Sequence, residues 1–167
     1  MKLEGKRILL TGASGGIGEA LALELAAQGA HLLLHGRRAS ALERLRKELP
    51  HPERHQTVTA DLGSPQERAR LLQHPALDDG LDVLINSAGC NQFAWLEDQS
   101  SEQVTRQLLL NVEAPIQLTR ALLPRLRRAP VGDGDADEGA LDERGVAAPE
   151  GGDRGRRAGA GGRPGLQ

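Results

Sequence analysis

The sequence predicts an α/β chain built on a doubly wound parallel sheet, truncated after about four strands and the long helix that follows, with a disordered C-terminal tail. Three observations predict this. Over residues 1–128 short apolar runs alternate with segments of helical period, the pattern of strand and helix units around a parallel sheet. A glycine-rich turn, Thr11 to Gly18, stands between the first apolar run and the first helical segment. The composition then breaks at Arg128.

The elements follow in order. Arg7 to Leu10, His31 to His35, Thr57 to Thr59 and Leu81 to Ile85 read as strands, because a parallel strand buried on both faces is continuously apolar, as Ile8-Leu9-Leu10 and Val83-Leu84-Ile85 are. The third is the weakest, with Val58 alone. The first helix is expected over Gly16 to Gln28, apolar nearly all round, as a helix wedged against a sheet must be. Ser40 with Glu43, Ser64 with Glu67 and Ser100 with Gln103 have capping-box spacing, and Pro65 sits where a missing N–H costs nothing. Leu42, Leu45 and Leu49 stripe the second helix before Pro50 ends it. Val104, Leu108, Val112, Pro115 and Leu122 stripe a long helix from about Ser101 to Leu126. Pro115 leaves the carbonyl of Asn111 without its helical partner, so a kink is expected there.

From Ala129 to Gln167, Gly, Ala, Pro, Arg and acidic residues fill 34 of 39 positions, and only Val131, Leu141, Val146 and Leu166 are large and apolar. Four scattered aliphatics cannot offset an ordering cost of roughly 1–2 kcal/mol per residue, so this tail is expected to be disordered. The domain boundary therefore falls between 1–128 and 129–167.

Composition also excludes functions. A chain of 167 residues with net charge −2 lacks the basic excess that binding to nucleic-acid phosphates requires. The single cysteine, Cys90, can make no internal disulfide, and no apolar run is long enough for a signal peptide or membrane span, so a cytoplasmic location is expected. There is no tyrosine, the three lysines are Lys2, Lys6 and Lys47, and the last serine is Ser101.

In Thr11-Gly12-Ala13-Ser14-Gly15-Gly16-Ile17-Gly18, glycines let the chain turn tightly and bring backbone N–H groups to a pyrophosphate at the positive end of the following helix. Here the sequence resembles the short-chain dehydrogenase/reductase family. Thr11, Gly12, Gly16 and Gly18 occupy the defined positions of that family's Thr-Gly-x-x-x-Gly-x-Gly loop. Asp61-Leu62 follows the third strand, and Asn86-Ser87-Ala88-Gly89 follows the fourth, like the family's Asn-Asn-Ala-Gly segment. The likeness runs from about Leu3 to Leu126. It implies a Rossmann-like domain binding a nicotinamide dinucleotide. Thr11, Gly12, Ser14, Gly15, Gly16, Ile17 and Gly18 would surround the pyrophosphate, Asp61 and Leu62 would border the adenine, and Asn86, Ala88 and Gly89 would lead toward the nicotinamide. Asn111 matches the family's asparagine that joins a proton relay through its backbone, and it is the one catalytic position that carries over.

Charge chooses between the two dinucleotides. An NAD site in such a fold wants a carboxylate after the second strand, for the ribose 2′-hydroxyl, whereas NADP brings a phosphate there. This chain reads His35-Gly36-Arg37-Arg38, with two guanidiniums and no acid. A charge-assisted hydrogen bond is worth roughly 1.5–3 kcal/mol, so one good Arg37 contact would favour NADP over NAD by about tenfold or more.

Catalysis in the resembled family also needs a serine after a fifth strand and a Tyr-x-x-x-Lys beyond it, and none of the three lies downstream of Asn111. A positioned proton-transfer group is worth about 10²–10⁴-fold. The chain is therefore expected to bind cofactor without transferring hydride, and to act on a small carbonyl or alcohol only if the catalytic part is supplied. The alternative is a non-enzymatic nucleotide-binding or interaction module, its bare fourth strand completed by a partner, and a homo-oligomer is compatible with either. The residues after Arg128 have G- and C-rich codons, which suggests a shifted reading frame; a genuine tail on a truncated paralogue is the other reading. No metal site is expected, since Pro52 interrupts His51 and His55 and no acidic or thiol ligands accompany them. Phe93 and Trp95 are expected to cover the site mouth or pack on the last helix. Cys90 is expected to be a small buried hydrophobe, and the arginines from Arg120 to Arg128 a solvated helix end.

Overall fold

The computed structural model describes residues 2–128; the expected disordered tail and its boundary lie outside the described residues. Four parallel strands form one sheet in the order β3-β2-β1-β4: β1 (Arg7–Thr11), β2 (His31–Gly36), β3 (Gln56–Thr59) and β4 (Val83–Asn86). Register runs Ile8 to Leu32 and Val83 across β1, and Leu34 to Thr57 on the outer side of β2. The third strand forms despite its polarity because β2 supplies a ladder. Leu81 and Asp82 stay outside β4: Leu81 is buried, and the Asp82 carboxylate accepts from the Arg7 N–H at 2.8 Å and from Lys6 Nζ at 3.2 Å.

Alternation along the strands divides the core into two layers. Ile8, Leu10, Leu32 and Leu34 pack with Ala22 and Ala26 of α1 (Gly16–Ala27) and Leu42 and Leu45 of α2 (Ala39–Glu48). On the opposite face Leu9 and Leu33 pack with Leu71 of α3 (Pro65–Leu72) and with Leu110, Ala114, Leu118 and Leu122 of the last helical stretch. Each fully buried leucine contributes about 1.5–3 kcal/mol of transfer free energy. No described helix is long and apolar enough to cross a membrane.

The helix starts correct the expectation in part. Ser100 and Gln103 complete the reciprocal box at α4 (Ser101–Leu108), with Gln103 N–H to Ser100 Oγ at 3.3 Å and Ser100 N–H to Gln103 Oε1 at 2.8 Å. At α3 only half of the box exists. Ser64 Oγ accepts from the Glu67 N–H, while the Glu67 carboxylate accepts from the Asp61 N–H at 2.7 Å. At α2 the box is absent: Arg38 holds the cap position, Ser40 lies inside the helix, and Arg46 takes the Glu43 carboxylate.

The single long helix is likewise three pieces. Between α4 and α5 (Ala114–Leu126) lies a π turn, Leu109–Glu113, in which the Ala114 N–H donates to the Leu109 carbonyl five residues back. The wide turn absorbs the donor that Pro115 lacks, so the irregularity expected from Pro115 takes the form of a π turn. Near the end of α5, Arg125 is half-buried rather than solvated, donating to the Leu72 carbonyl at 3.1 Å.

Candidate functional site

A cleft of about 540 Å³ opens at the carboxyl ends of the strands, where the strand order reverses between β1 and β4. Its size is that of a small-molecule or cofactor site, and its place is the crevice where open α/β sheets bind ligands. Of the residues expected from sequence, Gly12, Ser14, Gly15, Arg37, Leu62, Ala88 and Gly89 line it. His35, Gly36, Arg38, Ala60, Ser87 and Leu110 line it as well.

The cradle is closed by two missing side chains. Gly12 has φ of +70°, and a Cβ there would lie 2.7 Å from Ala88 Cα and 2.8 Å from Ala88 N. At Gly18 a Cβ would meet the Gly12 carbonyl oxygen at 2.2 Å. Both obstacles are backbone, so any side chain must prise the turn open. Gly16 meets nothing, and Ile17 is exposed. No side chain caps α1, which leaves its first-turn N–H groups and the positive end of its dipole available to an anion.

Thr11 lies beneath the cradle, 1% exposed, and joins its two sides. Its Oγ1 donates to the Ile85 carbonyl at 3.2 Å and accepts from the Ser87 and Ala88 N–H groups, both at 3.1 Å. The register that sets Thr11 beside Asn86 makes this possible.

Arg37 and Arg38 form the wall after β2, and neither has a carboxylate partner among the described residues. Beneath them His35 is buried, Nε2 against the Ala60 carbonyl at 3.0 Å and Nδ1 with no partner among the described residues. Burial lowers the His35 pKa below 6.5, against the opposing effects of the Ala60 bond and the nearby Asp61 charge.

Three expected residues stand beside the cleft rather than on its surface. Asp61 directs both carboxylate oxygens to Arg106 Nη2, at 2.7 and 2.8 Å. Burial pushes its carboxyl up, but the Arg106 bond, the Gly63 N–H and the charges of Arg106 and Arg37 prevail and hold it below the ordinary range. Asn86 donates to Thr119 Oγ1 on α5 at 3.3 Å. Asn111, in the π turn, uses its side chain on Cys90, accepting from its N–H at 2.9 Å and donating to its carbonyl at 2.7 Å.

Phe93 and Trp95 neither cover the mouth nor pack on the last helix. They are 97% and 79% exposed, on a loop held by polar bonds among Gln92, Gln99 and Gln107. Cys90 is only partly buried, packed beside the second core layer. His55 uses both ring nitrogens, Nδ1 accepting from the Leu32 N–H and Nε2 donating to the Pro50 carbonyl.

The family profile of short chain dehydrogenases matches residues 6–133. Nodulation protein G of Rhizobium sp. strain N33 is 40% identical over 129 residues, 76% of this chain and 52% of that protein. 11-beta-hydroxysteroid dehydrogenase 1A of Arabidopsis thaliana is 39% identical over 132 residues, covering 76% and 38%. Among solved structures, the Pseudomonas aeruginosa RhlG/NADP active-site complex superposes with a TM-score of 0.71 at 33% identity, over 81% of this chain and 53% of that one. The chain thus spans about half the length, or less, of the curated relatives it matches. By sequence and by fold, this chain belongs to the short-chain dehydrogenase/reductase family of oxidoreductases.

Proposed function

We propose that residues 1–128 form an NADP(H)-binding domain of short-chain dehydrogenase/reductase type. The observation that carries this reading is the cradle in which Gly12 and Gly18 have no room for a Cβ, beside an uncapped helix start and two arginines without carboxylate partners among the described residues. Such a cradle suits a pyrophosphate, and the guanidiniums suit a phosphorylated ribose rather than a bare 2′-hydroxyl. The backbone at Gly12, Ser14 and Gly15 and the first turn of α1 would hold the diphosphate, Arg37 the 2′-phosphate, Ala60 to Leu62 the adenine, and Ala88 and Gly89 the nicotinamide side. The RhlG relative, solved as an NADP complex, supports a nicotinamide dinucleotide as the ligand.

The dinucleotide supplies a hydride when bound. This chain supplies no tyrosine, and no serine or lysine beyond Asn111, to move the matching proton. Residues 1–128 would therefore hold the cofactor without a group to move that proton, and reaction with carbonyls or alcohols would need residues supplied from elsewhere. Titration of the purified chain with NADPH and NADH by fluorescence and calorimetry tests the reading. NADPH is expected to bind at least about tenfold tighter, and Arg37→Ala to remove most of that preference. Absence of binding to either dinucleotide overturns it, and turnover of a ketone panel by this chain alone overturns the proposed inertness.

The second reading, an interaction module completed by a partner, is favoured by one observation. Among the described residues β4 pairs on one side only, and Val83, Leu84 and Ile85 are each only partly buried. A chain that is monomeric and binds no strand-forming partner argues against it.

A further inference from the structure

Both walls of the cleft hang from one short helical stretch. The wall after β4 is held by Asn111, which bonds the Cys90 N–H and carbonyl next to Gly89. The wall after β3, which presents Ala60 and Leu62 to the cleft, is held by two arginines. Arg68 of α3, 7% exposed, donates to the Leu62 carbonyl and pairs with Glu113 at 2.7 Å. Arg106 of α4 bonds both oxygens of Asp61. Arg106, Asn111 and Glu113 thus reach both sides of the site from either end of the π turn.

The seat of the Arg106 guanidinium is Gly63. The Gly63 N–H donates to Asp61 Oδ1 at 2.9 Å, and a Cβ on Gly63 would lie 2.2 Å from Arg106 Nη1 and 2.9 Å from its Cζ. This obstacle differs from those at Gly12 and Gly18, because it is the end of a flexible side chain. A methyl group at 63 would displace the guanidinium and leave the backbone where it is.

We propose that Arg106 is a positioning residue of the cleft: seated over Gly63 and gripping both oxygens of Asp61, it fixes the Ala60–Gly63 wall in the place where it receives the adenine end of the dinucleotide. This rests on the cofactor reading above. β3 is an edge strand among the described residues, paired only with β2, so the connection after it has no second strand to set its position. The Arg106 and Asp61 side chains are 36% and 34% exposed, and a pair so wetted contributes little to global stability. Its expected work is to reduce what binding must order, and that appears in affinity.

The test is made on the full chain. NADPH affinity and thermal midpoint are measured for wild type, Arg106→Gln, Arg106→Lys and Gly63→Ala, and the Asp61 carboxyl is titrated by carbon NMR without cofactor. Arg106→Gln is expected to weaken NADPH by about five- to tenfold with little change in midpoint. Arg106→Lys should recover part of the loss, keeping the charge without the planar guanidinium that sits over Gly63. Gly63→Ala should weaken binding by about threefold while both charged side chains remain. The Asp61 carboxyl should titrate higher in Arg106→Gln and in Gly63→Ala. If Arg106→Gln does not fold, the other two variants carry the comparison. Wild-type affinity in all variants, or an unmoved Asp61 titration, overturns the positioning role alone. A wild-type chain that binds neither dinucleotide overturns the cofactor reading, and the role of Arg106 falls with it.

Discussion

β1 and β4 have nearly the same apolar composition and opposite surroundings. Ile8, Leu9 and Leu10 are at most 1% exposed, with a strand on each side and a core layer on each face, whereas Val83, Leu84 and Ile85 have one neighbouring strand among the described residues and are only partly buried. An apolar run states the environment that a strand requires, and its burial states what it has received. The contrast extends to the cleft. Its β1 side is built from residues adjacent in sequence, through backbone and glycine, while its β4 side is held by side chains reaching from Thr11 and Asn111.

The largest effect that can break this comparison comes from truncation in the strands themselves. Leu10→Ala should cost about 2–5 kcal/mol, because the fully buried site cannot collapse around the missing methyl groups. Ile85→Ala should cost less than half of that, since its side chain already sees water. Urea unfolding of the two variants measures both. Equal losses would mean that β4 is covered in solution, as a second copy or a partner strand would cover it.

Next come the joints between the two sides. Gly12→Ala must accommodate both a positive φ and the Ala88 backbone at 2.7 Å, a strain of roughly 1–3 kcal/mol, and NADPH affinity should fall with it. Thr11→Val leaves the Ser87 and Ala88 N–H groups without their acceptor, at a cost of about 1–3 kcal/mol. Gly16→Ala should go the other way. It lies at the start of α1 with open space around it, so an alanine there should be neutral or stabilising by about 0.4–1 kcal/mol. Loss of stability at Gly16 equal to that at Gly12 would refute the distinction between a glycine demanded by packing and one that is not.

The sequence was most legible where the cause of structure is local. The strand, glycine turn and helix of residues 7–27 follow from a few neighbouring residues, as does the Ser100 cap, and the structure places them within a residue or two of expectation. Competition between side chains was not legible. Ser40 and Glu43 had the spacing of a cap, but Arg46 offered the Glu43 carboxylate a stronger partner. Pro115 predicted an interrupted helix, and spacing alone could not show that the interruption would be a five-residue turn. Least legible were partners far apart in the chain. Nothing in the neighbourhood of Asp61 announces Arg106, 45 positions on, and nothing beside Arg68 announces Glu113. A buried arginine on an otherwise apolar helix face was the one available hint, since such a charge must find a partner.

The smallest expected effect is a pH dependence set by buried histidines, to which His35 and His55 on the β2 side contribute beside His74, whose pKa burial also lowers. His35 and His55 both serve β2, and burial is the leading cause that lowers each pKa from 6.5. Each folded form needs a bare Nδ1: that of His55 accepts from the Leu32 N–H, and that of His35 is enclosed with no acceptor for an added proton among the described residues. With the folded pKa depressed, the unfolded chain binds more protons below about pH 6.5. Stability is therefore full above that value and declines as pH falls through it toward the folded values. The decline at His35 is limited, because its Nε2 bond to the Ala60 carbonyl survives protonation and the Asp61 charge favours the added proton. Unfolding midpoints at pH 7.5 and 5.5 should differ for wild type, and the difference should shrink in His35→Asn. An undiminished difference in that variant would assign the whole dependence to His55 and the other histidines, and would leave the floor of the cleft neutral in both states.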